Sequence, residues 1–238
     1  MRISIMQPYI FPYIGYFQLI KASDIFVCLD DVNFIKKGWI HRNRLCFNGD
    51  ASYFTIPIKN SSQFRKINET MVSHGEFEKW RDKFFSSLKY FYKKQQFFEE
   101  GIMLAENVLS SNFESIAELS EISLNTCCRL FSITTPIKYS SHIENTDKLK
   151  KESRLIDICR KFHCEQYLNA IGGRNLYSRE MFEPYGIVLE FLQPKIHPYE
   201  VKGRPFIPSL SILDAVMCCG KEYVCQHLLS GYTIQEAA

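Results

Sequence analysis

MRISIMQPYIFPYIGYFQLIKASDIFVCLDD, residues 1–31, contains two short apolar runs separated by a turn and a segment of helical spacing. Residues 2–6 read as a strand closed by Gln7-Pro8. Gly15 to Ala22 spaces its apolar side chains as a helix, and residues 25–29 are apolar without alternation until Asp30 and Asp31 end the run. A second strand that is apolar on both faces and reached through a helix belongs to a parallel sheet, because parallel pairing needs a crossover and crossover helices cover both faces. In open sheets of this kind ligands bind beyond the carboxyl ends of the strands, at a topological switch point. The residues that follow the first strand are therefore where a site is expected.

Downstream, residues 34–48 are polar and basic, and residues 52–58 alternate like a strand that stops near Pro57. Three segments, 76–94, 95–109 and 113–131, carry apolar residues at three-and-four spacing (Phe77, Trp80, Phe84, Leu88, Phe91; Ile116, Leu119, Ile122), the pattern of amphipathic helices. The α/β pattern resumes with a strand at 135–139, a helix at 147–162, a strand at 166–170, a Gly-Gly turn at 171–175 and a strand at 187–192. Helices are expected at 211–219 and 221–229. The expected fold is α/β, a Rossmann-like and mostly parallel sheet with a helical insertion around residues 76–131, and the whole of 1–238 forms a single domain.

Composition narrows the function classes. Of 238 residues, 46% are hydrophobic and 23% charged, which fits a globular chain and excludes disorder or coiled coil. Lys and Arg total 29 against 26 Asp and Glu, a net charge of +3, too balanced for a nucleic-acid binder. Aromatic residues are abundant at 14%, with 19 Phe and 13 Tyr, and such rings line small-molecule pockets as well as cores. The nine Cys are an odd number inside apolar patterns, reading as reduced thiols of a cytoplasmic protein. Cys159, His163 and Cys164 offer zinc ligands, but no second cluster accompanies them, so no metal site is expected. No signal peptide or membrane span is visible.

Four segments could carry chemistry, each with a plainer structural alternative. Between Gln7 and Phe17 a turn bracketed by two prolines delivers Gly15 to a helix start, where free N–H groups attract anions; the alternative is a structural turn stacked with Tyr9 and Tyr16. Asp30 and Asp31 are followed within fourteen residues by Lys36, Lys37, Arg42 and Arg44, interleaved with Trp39, His41 and Asn43. Such a loop can hold phosphate or carboxylate, and its acids can orient cations or hold Mg²⁺ through water; mutual ion pairing in solvent is the alternative. Gly172, Gly173 and Arg174 follow another strand and would lie at the mouth of the same sheet. Ser209 and Ser211 precede Asp214, where helix capping competes with ligand binding. His41 is a candidate general base, since imidazole titrates near neutrality. No GxGxxG, Walker A or G-x-S-x-G motif occurs.

The long N-terminal run through NFIKKGWIHRNRL, with YLNAIGGRNLY and FIPSLSILDAV, resembles the WbqC-like family of bacterial proteins met in surface-polysaccharide and O-antigen gene clusters, over nearly the whole chain. The resemblance implies a part in making or decorating a sugar, and members have been proposed to transfer glycine to an aminosugar. His41 departs from a family pattern, K-G-W-x-N-R-N, that has Asn there. On this basis the expected activity is N-acylation of an aminosugar nucleotide. Lys36, Lys37, Arg42, Arg44 and Arg174 would hold phosphate or carboxylate, Asp30, Asp31 and His41 would serve the chemistry, and Tyr9, Tyr16 and Trp39 would stack on base or sugar. Gln7, Asn43, Gly172, Gly173, Ser209 and Ser211 complete the expected binding set. The donor is left open among glycine with ATP and Mg²⁺, a charged tRNA and a carrier-bound acyl group. A non-catalytic sugar-nucleotide or partner-binding module is the alternative. A second alternative is an ATP-using amide ligase akin to HIGH-motif nucleotidylyltransferases, whose histidines are replaced here by Tyr13 and Tyr16.

Overall fold

Ile3 and Ile5 of the first strand face one side of a sheet and Ser4 and Met6 the other; Ile3, Ser4 and Ile5 are all buried, as expected of a strand covered on both faces. The computed structural model describes residues 1–237. Its strands are β1 (Arg2–Met6), β2 (Ile25–Cys28), β3 (Arg42–Phe47), β4 (Asp50–Thr55), β5 (Ile137–Tyr139), β6 (Gln166–Ala170), β7 (Val188–Pro194) and β8 (Tyr232–Glu236). Its α-helices are α1 (Ile14–Lys21), α2 (His74–Tyr92), α3 (Phe98–Leu109), α4 (Ile116–Leu130), α5 (Lys151–Lys161), α6 (Arg179–Phe182) and α7 (Ile212–Tyr223). The main sheet runs β5-β2-β1-β6-β7-β8, parallel except for β8. Numbered by occurrence, that is the doubly wound order 3-2-1-4-5-6 of a Rossmann-like α/β fold.

The switch point lies between β1 and β6. Their register pairs only Arg2 with Gln166 and Ile3 with Tyr167, whereas β1 and β2 stay paired through Met6 and Cys28. The carboxyl halves of β1 and β6 are thus not joined, which opens a crevice where the chain leaves in opposite directions. One apolar cluster, containing Ile3, Ile5, Val27, Leu155, Ile158 and Tyr167, fills the α5 side. A larger one runs without a break from Phe17 and Ile20 through Leu88, Leu104 and Leu119 to Leu213 and Val216, so α2–α4 share a core with α1 and α7.

A buried polar network reinforces that junction. Asp214, fully buried in α7, accepts from the hydroxyls of Tyr92 at 2.7 Å and Tyr199 at 2.5 Å and from Arg204, while the Tyr92 oxygen accepts from Cys46 N–H at 2.8 Å. Satisfied networks of this kind fix one arrangement of the elements that contribute to them.

Two local features differ from the sequence reading, and a third agrees with it. The basic segment is half of a hairpin, β3 against β4, turned at Asn48 (φ 55°) and Gly49 (φ 86°). Asn-Gly between alternating residues is the strongest short-range hairpin signal; the charges of β3 mask it. As the separate helices expected at 211–219 and 221–229 require, the C-terminal helix breaks at Gly220 (φ 76°), and it continues as a π-turn over Val224–Leu228. A Cβ on Gly220 would lie 2.8 Å from the Phe97 ring, so no larger residue fits. Finally, β8 adds an antiparallel edge that its half-exposed residues hardly signal.

Candidate functional site

The turn after β1 is over-determined. Phe11 adopts φ 43°, costly for a residue with a Cβ, and three distant segments hold it there. Its N–H donates to Ser123 Oγ at 3.0 Å, and its carbonyl accepts from Asn43 Nδ2 at 2.5 Å and Ser211 Oγ at 2.9 Å. Asn43, 2% exposed, also donates to the Ile10 carbonyl at 3.2 Å, and Ser211 accepts from Leu213 N–H at the start of α7. These bonds aim the N-terminus of α1, whose N-cap residue Tyr13 offers no side-chain cap; Tyr16 N–H donates to the Tyr13 carbonyl at 3.1 Å, and the N–H groups of Ile14 and Gly15 are left for another acceptor. Gly15 is required because a Cβ there would strike the Tyr13 ring.

Around this turn the switch-point crevice forms two adjoining chambers. The smaller, about 250 Å³, is lined by Tyr9, Tyr13, Gly15, Tyr16, Asn43, Arg44 and Ser209. The larger, about 570 Å³, is walled mainly by apolar residues, with Gln7, Asn169, Gly172 and Gly173 among its lining. Met6, Tyr9, Trp39 and Ala170 line both. Tyr16 donates to the Gln7 carbonyl at 2.9 Å, and Tyr13 N–H donates to the Tyr9 hydroxyl at 3.3 Å. Burial raises the pKa values of Tyr9, Tyr13 and Tyr16, so all three are neutral phenols near pH 7.

Arg44 supplies the charge. Its guanidinium lies 5.5 Å from the Trp39 ring centroid and donates to the Ser209 carbonyl at 3.3 Å, while Nε is buried without a partner. Arg44 takes part in none of the ion pairs among the described residues. A cation in this position beside free helix N–H groups is the electrostatic counterpart of a phosphate or carboxylate.

The crevice therefore gathers Gln7, Tyr9, Tyr16, Trp39, Asn43, Arg44, Gly172, Gly173 and Ser209 from the sequence-based set. The others lie outside its lining. Lys36, Lys37 and Arg174 are exposed, and Arg42 stacks 4.4 Å from the Tyr53 centroid and donates to the Gly38 carbonyl, bracing the loop. Asp31 forms a buried pair with Arg154 at 2.6 and 2.7 Å; Asp30 accepts from Ser140, from Ser141 N–H and from Ser141 Oγ at 2.6 Å. A magnesium ion on these acids would have to displace those bonds. His41 packs on Phe34 with Nδ1 buried and unpartnered, and burial together with Arg42 lowers its pKa to about 4. Ser211 serves the Phe11 turn. Sequence reasoning left Asn169 and Arg154 out and named Tyr13 only as standing where a HIGH-motif histidine would. Only Asn169, a polar residue ending an apolar strand, carried a visible signal.

The model of the WbqC-like protein family matches residues 7–225. An uncharacterized protein of Mycobacterium tuberculosis, Rv1507c, is 27% identical over 226 residues, covering 93% of this chain and 95% of that one. No solved structure matches the chain. Among the described residues no helix is long and apolar enough to cross a membrane.

Proposed function

We propose, for a chain that belongs to the WbqC-like protein family, that the switch-point crevice is the site of a cytoplasmic transferase that acylates the amino group of an aminosugar nucleotide in surface-polysaccharide biosynthesis, with glycyl as the acyl group. The observation that carries the reading is Arg44, a guanidinium without a carboxylate partner beside the open N-terminus of α1. Those groups suit the phosphates of a sugar nucleotide, and the aromatic walls of Tyr9, Tyr13 and Trp39 suit the apolar faces of a sugar ring. Two chambers with a common wall suit a reaction that joins two molecules, because donor and acceptor must meet in one orientation.

In the reaction the neutral amine nitrogen attacks the activated acyl carbon. A C–N bond forms, the bond to the leaving group breaks, and the amine proton departs. The neutral phenols of Tyr9 and Tyr13 are placed to donate hydrogen bonds to a developing oxyanion, while that of Tyr16 is committed to the Gln7 carbonyl. The lining of both chambers lacks a carboxylate, an imidazole and a lysine. The proton therefore passes to the leaving group or to water. Asp30 and Asp31 act by holding the loop that follows β2.

That lack of a general base is also the specific observation favouring a second reading, a binding module for sugar nucleotides without turnover. One experiment separates the two. The protein is first titrated with aminosugar nucleotides and with inorganic pyrophosphate, then incubated with each nucleotide and, in turn, glycine with ATP and Mg²⁺, glycyl-tRNA and a glycyl thioester. A mass gain of one acyl group on the sugar amine supports the transferase, and binding without mass gain under every donor supports the module. In either case Arg44→Leu should weaken pyrophosphate and nucleotide binding about tenfold or more while shifting thermal unfolding little. Unchanged binding by that variant would remove the crevice from consideration.

A further inference from the structure

Around the mouth of the larger chamber the surface is apolar and basic at once. Ile35 and Leu176 line that chamber yet are 51% and 67% exposed, and Trp39, on the wall common to both chambers, is 45% exposed. The Trp39 ring lies 5.9 Å from that of Tyr53, which is exposed as well. Phe64, 84% exposed, is tied to the same rim through the backbone: the Arg65 carbonyl accepts from Phe34 N–H at 2.8 Å, and Lys66 bridges to Asn33. Apolar side chains scattered singly on a surface need no explanation, whereas a patch around one opening does. The loops at 33–39, 62–66 and 171–178, which carry Ile35, Trp39, Phe64 and Leu176, also carry Lys36, Lys37, Arg65, Lys66 and Arg174 and neither Asp nor Glu. These cations outnumber the chain's net charge of +3, so the rest of the molecule is net negative. None of them joins an ion pair among the described residues; Glu69 meets the rim by accepting from Lys66 N–H at 3.2 Å.

We infer that this rim docks the protein on an anionic lipid bilayer, with the crevice opening toward the membrane. Unpaired Lys and Arg are drawn to the negative surface potential of anionic lipids, and exposed Phe, Leu and Ile side chains gain by leaving water at the headgroup boundary. Trp and Tyr suit that boundary because the ring is buried while its polar tip stays wet, as the exposed Trp39 and Tyr53 allow. An RNA is the other polyanion that such cations attract, and it would stack on Trp39 and Phe64, but it offers the aliphatic Ile35 and Leu176 no apolar partner. The chamber between those two residues is itself walled mainly by apolar side chains, so the apolar surface continues inward from the rim. This goes beyond the transferase reading and does not depend on which molecules the crevice joins.

The test is cosedimentation of the full chain with vesicles of phosphatidylcholine alone and of phosphatidylcholine with about a quarter phosphatidylglycerol. Binding to the anionic vesicles should exceed binding to the neutral ones about tenfold or more at low salt, and should fall as salt screens the cations. Lys36→Glu/Lys37→Glu should lower anionic-vesicle binding about tenfold or more, and Phe64→Ser/Leu176→Ser should lower it at every salt concentration. In Trp80→Phe, which leaves Trp39 as the reporting tryptophan, emission should move to shorter wavelength on anionic vesicles; adsorption through another face would not move it. The lipid and salt dependence of the native chain is read whether or not a variant folds. Absent binding, or equal binding to the two kinds of vesicle, overturns the inference. So does undiminished binding by folded Lys36→Glu/Lys37→Glu, an unshifted Trp39 in folded Trp80→Phe, or binding of tRNA in place of anionic vesicles. No sugar nucleotide enters the measurement, so its failure leaves the transferase reading standing, and the Arg44→Leu titration decides that reading separately.

Discussion

Single residues in this protein divide into those that meet the crevice and those that hold its walls, and their chemistry follows the division. Arg44 and Arg42 are two positions apart on one strand, yet Arg44 reaches the smaller chamber while Arg42 turns onto Tyr53. His41 belongs with the wall. Its pKa falls from 6.5 to about 4, first through burial and then through the charge of Arg42. The native state therefore resists a proton that the unfolded chain accepts. The resulting stability is fully present above about pH 6.5 and is lost as the pH falls toward about 4, an effect of order 1 kcal/mol after allowing for partial exposure. Urea denaturation between pH 7 and pH 4 should show this slope, and His41→Asn should flatten it. An equal slope in the variant would assign the acid loss to other groups. The basic cluster was legible in the sequence; which of its members faces the crevice was not, because Arg42 and Arg44 share one face of β3 and only the packing of Tyr53 and Trp39 separates them.

At the scale of elements, the loop following β2 is fastened to α5 by the Asp31–Arg154 pair, whose side chains are 5% and 7% exposed. Breaking a buried pair leaves its partner charged without compensation, a cost of about 3–5 kcal/mol, whereas replacing both members by apolar residues costs far less. Asp31→Asn should therefore lower the urea midpoint more than the double variant Asp31→Leu/Arg154→Met does. If the double variant is the less stable, the pair contributes net stability beyond this account. The sequence placed Asp31 correctly at a strand end and marked it for chemistry. Its partner lies 123 residues away on a helix that only the fold brings near. The hairpin shows the opposite case, a local signal at Asn48-Gly49 that was present and was outweighed by the charged residues before it.

Across the whole molecule, the helices α2–α4 share a continuous core with α1 and α7 and are tied to them through Tyr92 and Asp214, so they and the sheet should unfold together. The two tryptophans report on the two regions, Trp39 beside the crevice and Trp80 within α2. Fluorescence of Trp39→Phe and Trp80→Phe should each give a denaturation midpoint that coincides with the circular dichroism of the same variant. A separate transition for Trp80 would make the insertion an independent unit.

The amino-acid sequence alone determined the α/β class, the parallel sheet, the helical insertion and the place of the crevice after β1. Those follow from the periodicity of apolar residues and from the rule that parallel strands need crossovers, both of which are local in the chain. Tertiary structure decided the rest: the splaying of β1 from β6, the clamp on Phe11 from residues 43, 123 and 211, and the selection of Arg44, whose buried Nε has no partner. Each of these depends on groups distant in sequence meeting at fixed distances. Neither composition nor spacing records which buried polar atom has been left without a partner.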